Sequence, residues 1–235
     1  MYILKIFFII FVKNIDMLSD IEKDKLRKDI IRVSGIHPSR IFNIFLFGSR
    51  VYGTSDHKSD WDIIMVANNS VESTEISHPL YNIHILTPNK FQADLDWHRM
   101  NALECYFAPD WAKLKEDKVF KFELNKAKLR HATSHISSNS WVKAKKKLEA
   151  GEERVALKSL FHSIRIPMFA SQIASNGKIT NFEIANFIWR RLTKQEDTLL
   201  PRLNDKWDWN SLVSEFRSTH NLMLSMFRNS VNNEK

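Results

Sequence analysis

Apolar residues recur along the chain at helical and strand spacings in a readable order. Ser19 and Glu22 form a capping-box pattern that opens a helix over 20–33, with Ile21, Leu26, Ile30 and Val33 as its apolar stripe and Gly35 and Pro38 at its end. β-branched and aromatic runs predict strands at 41–47, 61–66 and 81–86, the first two separated by a glycine-containing polar loop. Thr87-Pro88 stops the third strand, and a helix begins near Asn89 that carries Phe91, Leu95, Leu103 and Tyr106. Helix dominates from residue 121. The 121–147 segment is mostly polar, with Phe122, Leu129, Ile136, Val142 and Leu148 as its inward set and a break expected in the Ser-Ser-Asn-Ser stretch at 137–140. The 152–173 segment carries a stripe of Val155, Leu160, Phe161, Ile164, Met168 and Phe169. Pro167 inside that stripe should kink the helix, because it lacks an N–H and crowds the Ser163 carbonyl. Asn176-Gly177 closes it, and helices over 182–192 and 209–227 follow, the last using Leu212, Phe216, Leu222, Leu224 and Phe227.

This order gives an α+β chain: a mixed sheet with flanking helices over 18–115, then an all-helical bundle over 118–228. Residues 1–17 read as an apolar extension. The run from Met1 to Val12 is shorter than the roughly 20 residues a membrane-spanning helix needs, and no small-x-small cleavage pattern follows it. With 43% hydrophobic and 26% charged residues in 235, the chain is excluded from the disordered and low-complexity classes. A single cysteine, Cys105, excludes a disulfide framework or a cysteine-based zinc site and is expected to be buried. A cytoplasmic protein with no membrane partner is the expectation; a homo-oligomer is left open.

Charge changes the picture further. The formal net charge is +8, and residues 118–148 contain nine lysines and arginines against Glu123 alone. A cluster of that density suits RNA or another polyanion, or forms a solvated helix face.

The chemistry concentrates between the first two strands. An apolar strand runs into Gly48-Ser49, and the second strand opens on Asp60-Trp61-Asp62. Side chains two apart on a strand share a face, so Asp60 and Asp62 present both carboxylates to one side. Hard oxygen ligands so close suit Mg²⁺ or Mn²⁺. Gly48-Ser49 at a strand end supplies N–H groups and a hydroxyl able to hold phosphate. Arg50 offers a phosphate clamp or a surface ion pair. Ser59 caps a turn or joins the phosphate site.

Gly48-Ser49, Gly53 and Ser59-Asp60-x-Asp62, with Asp60 eleven residues after Ser49, resemble the signature of the polymerase-beta-like nucleotidyltransferase superfamily. The resemblance implies a nucleotidyltransferase core followed by a helical domain, with a nucleoside triphosphate (NTP) as substrate. Gly48 and Ser49 would hold the triphosphate, and Asp60 and Asp62 would bind the two metals that bridge it to an acceptor hydroxyl. The family's third carboxylate belongs on the next core strand, where this sequence has Asn82 and His84. His84 is then the candidate proton acceptor, and Glu72, Glu75 and Glu104 are candidate displaced acids. The alternative is a degenerate module that binds nucleotide, nucleic acid or a protein partner without transfer.

Lys158, His162 and Arg165 share a helix face and form a row that could touch phosphate. His131 and His135 stand four apart without a third ligand, and His57, His78 and His98 read as surface or loop residues. Trp97, Trp111 and Trp141 read as packing residues, or as base-stacking ones if exposed.

Overall fold

The computed structural model describes residues 18–193 and 207–232; the expected extension at 1–17 lies outside them. Helix α1 (Asp20–Ser34) opens on the complete capping box, with the Glu22 N–H bonded to Ser19 Oγ and the Ser19 N–H to the Glu22 carboxylate. Gly35 ends it in the left-handed region at φ 66°. Leu26 and Ile30 are buried, but Ile21, expected in the same stripe, is exposed.

Five strands form one mixed sheet: β1 (Ile41–Phe47), β2 (Trp61–Ala67), β3 (Ser73–His78), β4 (Tyr81–Leu86) and β5 (Lys113–Glu116), in the order β3-β4-β2-β1-β5. β1 is antiparallel to β2 and β5, β3 is antiparallel to β4, and β2 runs parallel to β4. The inner strands β1 and β2 are buried over most of their length, which is why they read as continuous apolar runs. β3 is an edge strand whose side chains alternate between exposed and half-buried, so it has no apolar face to announce it. Glu75, read from the sequence as part of a connection, sits on it.

Short α2 (Ser49–Tyr52) follows β1, and α3 (Pro88–Asp96) and α4 (Met100–Tyr106) follow β4. The single helix expected from Asn89 is divided in two at Trp97–Arg99, where His98 adopts φ 56°. His98 is not a surface residue. It is buried, and its Nε2 accepts the Asn125 N–H at 2.8 Å, anchoring the start of the bundle.

The bundle comprises α5 (Lys126–Glu149), α6 (Glu153–Asn176), α7 (Asn186–Leu192) and α8 (Trp209–Asn232). The break expected at 137–140 is not there; Ser137 is instead buried between α5 and α6 and donates to the Ser163 carbonyl at 2.7 Å. Thr133, Ser137 and Ala144 occupy the buried face of α5, while Val142 and, on α8, Leu222 are exposed. Small side chains on that face let the two helices approach closely.

One cluster of buried apolar side chains runs from Ile44, Ile63 and Ile83 in the sheet to Phe161 and Phe169 on α6, and includes Cys105. The Tyr52 ring meets Phe169 edge-on at 5.8 Å. Among the described residues no helix is long and apolar enough to cross a membrane.

Candidate functional site

The end of β1 and the start of β2 meet in register, with Phe47 opposite Asp62. Gly48, the next residue, has φ 78° and ψ −160°, a region essentially reserved for glycine. A methyl group on its Cα would lie 2.0 Å from Asp62 Oδ2. The glycine therefore serves two ends: it turns the chain into α2, and it lets the Asp62 carboxylate lie directly against the backbone before Ser49. Gly48, Ser49, Tyr52 and Asp62 line one wall of a cavity of about 700 Å³.

Asp62 is the perturbed acid of this wall. Burial raises its pKa from 3.8 to about 6, and the nearby charge of Asp60 adds to the rise, while Lys158 and a hydrogen bond from Asn82 oppose it. Asn82 is its register partner on β4. The Asn82 Oδ1 is buried without a hydrogen-bond donor. The Asp62 carboxylate and the orphaned Asn82 carbonyl oxygen are hard donors of the kind a divalent cation takes, although of Asp60, Asp62 and Asn82 only Asp62 lines the cavity. Among the described residues no group of three or more His, Cys, Asp or Glu side chains is placed to hold a metal ion.

The other expected site residues divide. His84 lines the cavity beside Asp62; its Nε2 is 3.4 Å from Asn82 Nδ2 and 4.0 Å from Glu75 Oε1. Arg50 turns to the supporting loop, where its guanidinium bonds the carbonyls of Ser59 at 2.5 Å and Asp60 at 3.3 Å and lies over the Trp61 ring. Ser59 is buried, with its hydroxyl donating to Asp56 Oδ1 and accepting the Asp56 N–H, both at 3.0 Å. Arg50 and Ser59 thus hold the turn that delivers Asp60 and Asp62, and neither lines the cavity.

Another part of the lining comes from α6. Lys158, His162 and Arg165 all line the cavity, but they are not three equivalent cations. Arg165 is buried in an ion pair with Glu104 of α4 at 2.6 Å, and the Tyr52 hydroxyl donates to the same carboxylate. The Arg165 guanidinium also stacks over the Tyr52 ring, 3.9 Å from its centroid. Glu104 is therefore committed and does not replace the missing third acid. Burial, then the charges of Arg165, Lys158 and Lys143, hold the His162 pKa well below the ordinary histidine range.

Sequence reasoning did not find Tyr52 or the group of Lys90, Asp94 and Arg99 at the cavity edge, where buried Asp94 accepts from both cations. The four-residue step from Lys90 to Asp94 on α3 was the available signal. The Tyr52–Glu104–Arg165 contact joins segments far apart in the chain and leaves no local pattern.

No protein-family model and no curated protein matches the chain. Solved structures similar to it include the following two. A nucleotidyltransferase-like protein from Exiguobacterium sibiricum shares 13% identity over 89% of this chain and 74% of that one, with a TM-score of 0.30. An aminoglycoside 6-adenyltransferase from Bacillus subtilis shares 9% identity over 91% of this chain and 89% of that one, with a TM-score of 0.26. The functional reading accordingly rests on the site itself.

Proposed function

We propose that the chain is a metal-dependent nucleotidyltransferase that moves a nucleoside monophosphate from an NTP to an acceptor hydroxyl with release of pyrophosphate. The observation that carries this reading is the contact between Gly48 and Asp62, which sets a half-buried carboxylate against the turn before Ser49 on one wall of a cavity. Asp60 and Asp62, with the Asn82 carbonyl oxygen, would hold Mg²⁺ or Mn²⁺. When bound, the cation supplies charge neutralisation at the α-phosphate and at the attacking oxygen.

The chain's own groups do the rest. Ser49 holds phosphate oxygens, Lys158 faces the triphosphate from α6, and His84 accepts the proton of the acceptor hydroxyl as its oxygen bonds to the α-phosphorus and pyrophosphate leaves. Lys143 and Lys146 are exposed on α5, while Lys145 and Lys147 pair with Glu149 and Glu152. These two exposed lysines support a polyanionic acceptor such as RNA.

The test is transfer of label from each α-labelled NTP, with Mg²⁺ and then Mn²⁺, to cellular RNA, protein or small molecules. The Asp60→Ala/Asp62→Ala protein is the control. Label incorporated by the wild type and lost in the control supports transfer. A second reading, a nucleotide-binding module without transfer, is favoured by Asn82 standing where a third acid is expected and by Glu104 being tied to Arg165. It predicts metal-dependent NTP binding with no incorporated label.

A further inference from the structure

The row on α6 holds more information than its charge. His162 Nδ1 lies 3.3 Å from Arg165 Nε and 3.1 Å from the second guanidinium nitrogen. A guanidinium has five donors and no acceptor, so Nδ1 must offer its lone pair to it. The neutral ring then carries its single proton on Nε2. Arg165 has little freedom to change this arrangement, because it is buried and fixed by Glu104, with Tyr52 bonded to the same carboxylate. Nε2 has no hydrogen-bond partner among the described residues, and the ring lines the cavity. Lys158, one turn earlier on the same face, forms no ion pair among the described residues, although its charge reaches Asp62.

From this geometry we infer that His162 is a ligand-binding residue, a neutral Nε2–H donor that, with Lys158, grips the polyphosphate oxygens of the bound nucleotide from the α6 side of the cavity that Ser49 also lines. Arg165 is its positioning residue, and Glu104 positions Arg165. The inference rests on the nucleotide reading above and adds a role: His162 is a fixed donor and takes no proton during the reaction. Phosphate oxygens accept, and the free groups on this wall only donate, so the match is one of chemistry as well as charge.

Two variants separate the donor role from packing. The His162 ring also sits among aromatic neighbours, edge-on to Tyr52 at 6.5 Å and 5.7 Å from Phe161. His162→Phe keeps a ring and loses the donor, whereas His162→Gln loses the ring and keeps an N–H close to the Nε2 position. Binding of Mg²⁺-NTP and of inorganic tripolyphosphate is measured by calorimetry on the full chain, with the fold of each variant checked by circular dichroism. The expected result is about tenfold or more weaker binding of both ligands by His162→Phe, the scale of a hydrogen bond to a charged group, and near-wild-type binding by His162→Gln. The reverse order, or equal binding by all three proteins, overturns the donor role while leaving the nucleotide reading intact. If the wild type binds neither NTP nor tripolyphosphate, the nucleotide reading itself falls and this role with it. Nitrogen-15 chemical shifts of the His162 ring give an independent check in the free protein, where protonation at Nδ1 would overturn the proposed tautomer.

Discussion

The Ser137 hydroxyl donates a 2.7 Å hydrogen bond to the carbonyl of Ser163, the oxygen that Pro167 leaves without its helical N–H. His220 Nε2 lies 3.2 Å from the same hydroxyl, so a single serine joins α5, α6 and α8. Ser137→Ala should destabilise the chain by about 1–3 kcal/mol, the cost of leaving a buried carbonyl unmet. Pro167→Ala would return an N–H to that carbonyl. The double variant should therefore lose less than the sum of the two single losses, and urea denaturation of all four proteins measures the difference.

Gly48→Ala places a methyl on the Asp62 carboxylate in a backbone region that only glycine occupies with ease. The backbone alone costs about 1–3 kcal/mol, and the carboxylate must also move. Both the thermal midpoint and metal-dependent nucleotide binding should fall. Gly35→Ala is a suitable comparison, since Gly35 also has positive φ but nothing lies within 4 Å of an added methyl. It should lower stability and leave binding unchanged.

Asp62 couples stability to pH in an unusual direction. Its folded pKa of about 6 lies above the ordinary 3.8, so between these values the native state binds more protons than the unfolded state. Its contribution to stability is then greatest below pH 4 and is lost as pH rises through 6. Asp62→Asn should consequently gain about 1–3 kcal/mol at pH 7 and flatten the profile between pH 4 and 6. Mn²⁺ should raise the wild-type melting temperature more at pH 7.5 than at pH 5, because the carboxylate must be ionised to hold it. Equal Mn²⁺ effects on Asp62→Asn and wild type would remove Asp62 from the metal site.

Glu104→Ala leaves the Arg165 guanidinium buried without its counter-charge. The expected loss is about 3–5 kcal/mol, and an apolar replacement of both partners, Glu104→Leu with Arg165→Met, should recover much of it. Equilibrium denaturation distinguishes the two outcomes. The paired variant should also bind nucleotide poorly despite its recovered stability, since His162 loses the group that orients it.

Much of this architecture was legible in the chain. The strands 41–47, 61–66 and 81–86 emerge close to their observed limits because a half- or fully buried strand must be apolar, and α1 announces itself through its cap. β3 escaped notice because its polar residues satisfy an edge with one face in water. The serines at 137–140 suggested a break because a serine's partner across a helix interface cannot be inferred from its neighbours in sequence. In the site, Gly48, Asp62 and His84 converge on the cavity. Arg50 and Ser59 support the turn behind it, a distinction that depends on which way each side chain leaves the backbone. The face shared by Lys158, His162 and Arg165 was visible from spacing, but the distant glutamate that ties down Arg165 was not.

The lining of the cavity is drawn from stretches of chain about a hundred positions apart, with Ser49 and Asp62 from one and Lys158 and His162 from the other. The helices of the second half are thus no detachable accessory. A fragment ending before α6 would keep both acids at 60 and 62 and lose Lys158, His162 and Arg165 from the cavity lining, so a gene shortened at that point would encode half a grip.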